Sequence, residues 1–258
     1  MKKITFCLIV ATLILCACKH DPIDNRLPCA VTDVDGHVYH AVRIGKQVWM
    51  AQNLYVAKYQ DLGRMYQGEY GIQDGISNFY MFPNGLRSNG RRYGFLYSWD
   101  AATRGEAWTS DKHPVQGACP KGWHVPSLNE WDELINTVNN TPEYQQRSAS
   151  TAKALAATNY SEDFWLENGL SGTPGCEPNS NNSTNFNALP AGYCENKQHY
   201  RFGEEAYFWT CNKTHGPDGE DEYWYVSLKC DADTLTYQTH EQKTYPQGVA
   251  YSVRCVKD

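Results

Sequence analysis

The chain has 258 residues, a formal net charge of −6 and an aromatic fraction of 13%. This composition is too aromatic for a disordered chain, and the acidic balance lacks the positive field that nucleic-acid binding needs. Its 12 Pro and 20 Gly also argue against a helical bundle. The composition therefore favours a folded domain with many turns that does not bind nucleic acid.

The first residues have the pattern of a bacterial export signal. Lys2 and Lys3 precede an uncharged apolar run that ends at Leu15 and is too short to span a bilayer. The next residues, through Ala17 and Cys18, resemble the box of bacterial lipoproteins. We therefore expect cleavage of residues 1–17 and acylation of Cys18, which would anchor the protein in the outer membrane or at the cell surface. The alternative is a soluble secreted protein in which Cys18 forms a disulfide.

Two segments follow the signal. Residues 18–28 are polar with two Pro and predict a short tether, so the folded domain is expected over residues 29–258. The domain opens with a β-meander, in which a strand at 38–44 and a return strand at 47–50 flank the two-residue turn Gly45-Lys46. Residues 59–92 lack periodicity and predict an ordered loop.

The middle of the chain carries the clearest helix pattern. Ser127 and Glu130 have the spacing of a capping box. The apolar residues that follow recur on one helical face: Trp131, Leu134, Ile135 and Val138. An Ala-rich segment at 148–157 predicts a second helix.

Short aromatic strands alternate with Gly-, Asn- and Ser-rich loops from residue 165 onward. Segments 207–211 and 224–230 flank the turn-forming stretch 216–221 and predict a hairpin, and 248–256 predicts a last strand. Five Trp in regular elements are expected in the core: Trp49, Trp99, Trp123, Trp131 and Trp209. Aromatic residues in loops either pack internally or stack on sugar rings: Tyr66, Tyr70, Tyr80, Phe82, Tyr193, Tyr200 and Phe202.

Seven Cys follow Cys18: Cys29, Cys119, Cys176, Cys194, Cys211, Cys230 and Cys255. Export to an oxidising compartment favours disulfides, and the odd number leaves at least one Cys without a partner in the chain. The predicted hairpin would place Cys211 beside Cys230. Cys176 and Cys194 bracket one loop and could close it.

Several segments together resemble the Fibrobacter succinogenes major paralogous domain of bacterial surface lipoproteins. They lie in the expected order along the chain at 31–39, 48–54, 93–99, 119–126, 188–193, 207–210 and 252–258. Gln52 and Thr210 depart from the family, which usually has Glu and Ser there. The resemblance implies an α+β, C-type-lectin-like fold, with two helices packed on a small twisted antiparallel sheet and long loops. It also implies a Cys119–Cys255 disulfide and an accessory or adhesion role, without an agreed activity.

One tripeptide raises the possibility of a calcium site. Glu177-Pro178-Asn179 matches the tripeptide with which mannose-type C-type lectins hold Ca²⁺ and a sugar. Those lectins also need an Asn-Asp pair on a neighbouring strand, whereas Asn212 here has no Asp beside it. The competing interpretation is a plain turn before a polar loop, and in that case no cofactor is expected.

The sequence predicts a non-catalytic binding protein. It contains no HExxH, GxSxG or P-loop motif. We therefore expect a surface-anchored lipoprotein that binds a glycan or a surface protein, with aromatic loops and the Asn-rich loop 179–187 as contact surfaces. The alternatives are a hydrolase-like enzyme on the same scaffold, or a structural subunit of a surface complex.

Overall fold

The computed structural model describes residues 25–68, 74–110, 113–159, 164–241, 243–245 and 247–258. The predicted signal peptide, Cys18, most of the tether, Tyr70 and the side chain of Cys29 lie outside the described residues. The first strand begins at Arg26, within the segment predicted as the tether. No helix in the described ranges is long and apolar enough to cross a membrane.

The described residues form an α+β fold of short helices and small, mostly antiparallel sheets. The α-helices are α1 Arg87–Tyr93, α2 Trp99–Thr103, α3 Leu128–Asn139, α4 Pro142–Ser148 and α5 Thr151–Leu155. The strands are β1 Arg26–Thr32, β2 Val38–Ile44, β3 Gln47–Met50, β4 Tyr66–Gln67, β5 Phe79–Met81, β6 Leu96–Tyr97, β7 Trp123–His124, β8 Tyr193–Glu195, β9 Gln198–Tyr200, β10 Glu205–His215, β11 Asp221–Lys229, β12 Thr236–Glu241, β13 Val249–Ala250 and β14 Val256–Lys257. The part of the chain that the structure describes thus has five α-helices, where two helices were predicted, and two single-turn 3-10 helices, at Pro83–Gly85 and Pro178–Ser180.

The largest sheet has the strand order β1-β2-β3-β14-β7. The predicted meander forms its first three strands, and β2 and β3 have the predicted bounds. The strand predicted at 248–256 is divided, because β13 pairs with β8 whereas β14 inserts between β3 and β7. This insertion brings residues 256–258 beside β3, β7 and the start of α3.

The core consists of two apolar clusters that share the five-stranded sheet. Val42 and Trp49, which pair across β2 and β3, pack with the apolar face of α3. Their neighbours Ala41 and Met50 pack in the second cluster. All five Trp predicted for the core are buried, as is Trp165, whereas Trp108 and Trp224 are only half-buried.

Helix α3 begins with the predicted capping box. The Oγ atom of Ser127 accepts a hydrogen bond from the backbone N of Glu130 over 3.3 Å. In return, Oε2 of Glu130 accepts from the backbone N of Ser127 over 2.7 Å. These bonds satisfy amide groups that the first helical turn leaves without partners, and they fix the position of the Glu130 carboxylate.

The disulfide implied by the family resemblance is present. Cys119 and Cys255 are joined with their Cα atoms 6.0 Å apart, across 136 positions of sequence. The bridge ties the segment before β7 to the residue that precedes β14.

The two locally predicted disulfides are wrong. Trp209 pairs with Tyr225, and the backbone N of Cys230 donates to the carbonyl of Glu204, so Cys230 lies several residues along the hairpin from Cys211. The hairpin arms are unequal in length, and a register shift follows Trp209. Cys211 and Cys230 are therefore free thiols.

The loop that Cys176 and Cys194 bracket is likewise not closed by a disulfide. Cys176 is a half-buried free thiol, whereas Cys194 is buried within β8 between its partner strands β9 and β13. Strand pairing thus holds Cys194 inside a sheet while Cys176 lies in a loop.

The Asn-rich loop is part of the interior. Asn181 is fully buried, and its Nδ2 atom donates to the carbonyls of Ala157 and Pro174, each over 3.0 Å. Asn182, Asn185 and Asn187 adopt the left-handed conformation that Asn tolerates well. Much of the polarity of this segment serves internal hydrogen bonding, whereas Asn179 at its start is exposed. A contact surface on this loop stays a prediction.

Candidate functional site

A cleft of about 720 Å³ opens beside the five-stranded sheet. Side chains from β2, β3, β7 and β14, from the first turns of α3 and from the loop after α2 line it together. Its apolar wall is built from Leu27, Val48, Trp108, Val115 and Val256. Its volume lies in the range of pockets that hold small molecules, and its lining combines apolar and polar side chains.

His124 is held between two carboxylates at the base of this cleft. Its Nε2 atom lies 2.6 Å from Oε1 of Glu130, and its Nδ1 atom lies 2.7 Å from Oδ1 of Asp258. The side chain of Ser127 also donates to Oε2 of Glu130 over 2.8 Å. This network joins β7 and the N-terminus of α3, which are close in sequence, to Asp258, which directly follows β14 and is 134 positions from His124.

The two carboxylates favour the charged form of His124. Burial opposes the imidazolium, but the hydrogen bond and charge of Glu130, with those of Asp258, outweigh it and raise the pKa of His124. Burial likewise acts to raise the pKa of Glu130, but the hydrogen bond and charge of His124 and the bonds from Ser127 lower it. Both ring nitrogens of the imidazolium therefore donate, and neither has a lone pair available for general-base catalysis.

Trp108 is the cleft residue best suited to contact a ligand. It is half-buried, unlike the six Trp of the core, and its backbone N donates to the carbonyl of Cys211 over 2.7 Å. The Cys211 thiol also lines the cleft, but burial raises its pKa, so it is a poor nucleophile. The aromatic ring is thus the more accessible feature of this wall.

The predicted calcium residues lie elsewhere. Glu177 and Asn179 are exposed and flank the buried Pro178 at a tight turn, and neither lines the cleft. The ammonium of Lys153 donates to the Glu177 carbonyl over 3.2 Å, which places a positive charge beside the tripeptide. No group of three or more His, Cys, Asp or Glu within the described ranges is arranged to hold a metal ion. A calcium site at Glu177 and Asn179 stays a prediction.

The predicted loop aromatics divide into buried and exposed groups. Phe82 is buried, and Tyr80 is half-buried and stacks on Phe95 with ring centroids 4.7 Å apart. Tyr193 and Tyr200 stack at 5.1 Å, and Tyr200 is exposed. This pair forms a second aromatic surface, separate from the residues that line the cleft.

Comparison with known families gives one match. The profile of the Fibrobacter succinogenes major domain matches residues 42–257, and the chain belongs to this family. No curated protein and no solved structure matches the chain. Segments that carried the resemblance meet around the cleft, since Val48, His124 and Lys257 all line it.

Sequence reasoning missed most of the cleft. No functional interpretation was drawn from the sequence for five cleft residues: Arg43, Lys46, Trp108, His124 and Lys257. The one indication of the cleft in the local sequence is a charged residue, Arg43, within the largely apolar β2 segment. The remaining residues come together only through the insertion of β14, which no local pattern predicts.

Proposed function

We propose that the protein is a surface-anchored lipoprotein whose domain binds a glycan in the cleft without catalysing a reaction. The observation that carries this proposal is the half-buried Trp108 on the wall of a cleft that also offers fixed polar side chains. Sugar rings have apolar C–H faces that pack on aromatic rings, and hydroxyls that need hydrogen-bond partners. A mixed wall of this kind meets both needs.

We further propose that the fold is C-type-lectin-like and that the anchor is the acylated Cys18. The α+β architecture and the Cys119–Cys255 bridge to the last strand agree with the family resemblance. The chain between Cys18 and Asn25 reaches at most about 25 Å when extended. The domain would therefore stand close to the membrane of the cell envelope.

The state of the cleft carboxylates favours binding over hydrolysis. A glycoside hydrolase needs one carboxylic acid with a raised pKa and a second carboxylate across the substrate. Here Glu130 has a lowered pKa, and both Glu130 and Asp258 are hydrogen-bonded to the same imidazolium. These groups are better suited to positioning the walls of the cleft than to transferring protons.

A glycan array probed with the mature protein tests the proposal. We expect binding that is unaffected by a chelator and is lost in Trp108→Ala. Trp224→Ala is the matched control, because Trp224 is the other half-buried Trp and does not line the cleft. Chelator-sensitive binding would instead implicate Glu177 and Asn179. If no glycan binds and a partner protein co-purifies, the ligand is a surface protein and the glycan proposal is wrong.

A further inference from the structure

Some charged side chains of the cleft form ion pairs, and others do not. Arg43, Lys46 and Lys257 are exposed cleft residues, and none of them forms an ion pair with another residue that the structure describes. Among the cleft carboxylates, Glu133 alone forms no ion pair with another residue that the structure describes. Three cations and one carboxylate are therefore available to a ligand.

The other two cleft carboxylates, Glu130 and Asp258, both contact His124. Because these contacts are short, the two carboxylates are less available to a ligand than Glu133 is. The whole chain has a formal charge of −6. In contrast, the cleft side chains that form no ion pair with another described residue carry three positive charges and one negative charge.

Strand pairing and a tight turn fix the backbone positions of the three cationic residues. Arg43 pairs with Val48 across β2 and β3, and its backbone N donates to the carbonyl of Asn25 over 2.9 Å. Lys46 lies in the tight turn between these strands, where a Cβ on Gly45 would approach Thr137 of α3 to 2.8 Å. Lys257 lies in β14 and pairs with Trp123 of β7. The backbones that carry the charges are thus fixed by the sheet and by its contact with α3.

We propose that the glycan bound by this cleft is acidic, and that Arg43, Lys46 and Lys257 bind its carboxylate or sulfate groups. This inference rests on the proposed function and specifies the class of sugar. An arginine guanidinium donates two parallel hydrogen bonds to a planar anion, and the two ammonium groups supply charge without strict geometry. Trp108, which also lines the cleft, would pack against the ring of the same sugar.

Titration of the mature protein with matched oligosaccharides tests this inference. The probes are an oligogalacturonate, a sulfated oligosaccharide, a neutral oligosaccharide of equal length and vesicles of phosphatidylglycerol. We expect the wild-type protein to bind at least one acidic sugar about tenfold more tightly than the neutral one, with weaker binding at high salt. Arg43→Gln, Lys46→Gln and Lys257→Gln should each weaken that binding several-fold, whereas Arg147→Gln, on the exposed surface of α4, should not.

The outcomes separate this inference from the proposed function. Equal affinity for acidic and neutral sugars, with loss only in Trp108→Ala, would overturn the acidic specificity and leave glycan binding intact. Binding to the vesicles alone would overturn the inference in favour of a lipid headgroup site. Binding to none of the probes would overturn both. Since the three cations are exposed, their substitution by Gln should leave folding unchanged, which circular dichroism would verify.

Discussion

The Nε atom of Arg254 donates a hydrogen bond to Oδ1 of Asn53 over 3.0 Å in a part of the core closed to solvent. The guanidinium also lies over the ring of Phe186, 4.6 Å from its centroid. Burial lowers the pKa of Arg254, and within the described residues no carboxylate pairs with it. A buried cation held by an amide and by backbone carbonyls makes Asn53 central to stability.

Replacement of Asn53 by Ala should destabilise the protein markedly. Asn53 also donates through Nδ2 to the carbonyl of Tyr93 over 2.8 Å, so the change leaves several buried polar groups without partners. We expect the free energy of unfolding to fall by about 3 kcal/mol in urea denaturation. Gln146→Ala, at an exposed position of α4, should change it by less than about 0.5 kcal/mol. Equal effects of the two changes would show that the Asn53 bonds contribute little.

Loss of the Cys119–Cys255 disulfide should have a larger effect. The bridge spans 136 positions, and closure of so long a loop stabilises the folded state by about 4 to 5 kcal/mol in the chain-entropy model. The double variant Cys119→Ala and Cys255→Ala should lose about that amount in equilibrium denaturation. Cys176→Ala, which removes a half-buried free thiol, is the control and should be close to wild type. A double variant as stable as this control would contradict the prediction.

The His124 cluster should stabilise the protein in a defined range of pH. The pKa of His124 is raised above its ordinary value of 6.5, so its contribution is complete below that pH and is lost as the pH rises through the raised value. The pKa of Glu130 is lowered below 4.5, so its contribution is complete above that pH and is lost under stronger acid. The cluster is therefore most stabilising between about pH 4.5 and 6.5.

His124→Gln tests this pH dependence. We expect the variant to lose about 2 kcal/mol of unfolding free energy at pH 5.5, and less at pH 9. His40→Gln, at an exposed position of β2, should show no such difference between the two pH values. A loss of the same size at pH 5.5 and pH 9 would mean that charge on His124 is not what stabilises the cluster.

The proposed acylation of Cys18 predicts where the protein is found. The wild-type protein should fractionate with the membranes and yield an acylated N-terminal peptide on mass spectrometry, because two or more acyl chains give stable anchoring. Cys18→Ser should move the protein to the soluble fraction. An unmodified N-terminal peptide in the wild type would contradict the anchor and leave the folded domain unaffected.

Local sequence patterns predicted the elements that depend on neighbours along the chain. The β2–β3 hairpin follows from a two-residue turn between apolar strands, and α3 follows from its capping box and the spacing of Trp131, Leu134 and Val138. The pairing of the β10–β11 hairpin could not be predicted, because a register shift follows Trp209 and no local sequence pattern indicates it. The incorrect Cys211–Cys230 pairing is the consequence.

The cleft could not be predicted from local patterns, because residues far apart in sequence form it. Arg43 and Lys257 are far apart in sequence and share the cleft because β14 inserts beside β3. The conformation of the Asn-rich loop could not be predicted either. The same polar residues are compatible with an exposed loop and with a buried loop whose side-chain amides donate to backbone carbonyls. Asn181 is buried because two such carbonyls, of Ala157 and Pro174, accept from it.

A crystal structure of the mature protein with the tightest-binding oligosaccharide tests the central claim most directly. We predict a sugar ring packed on Trp108, with its acidic group within hydrogen-bonding distance of Arg43, Lys46 or Lys257. An oligosaccharide bound instead on Tyr193 and Tyr200, or at Glu177 and Asn179 through a metal ion, with the cleft unchanged, would contradict the account.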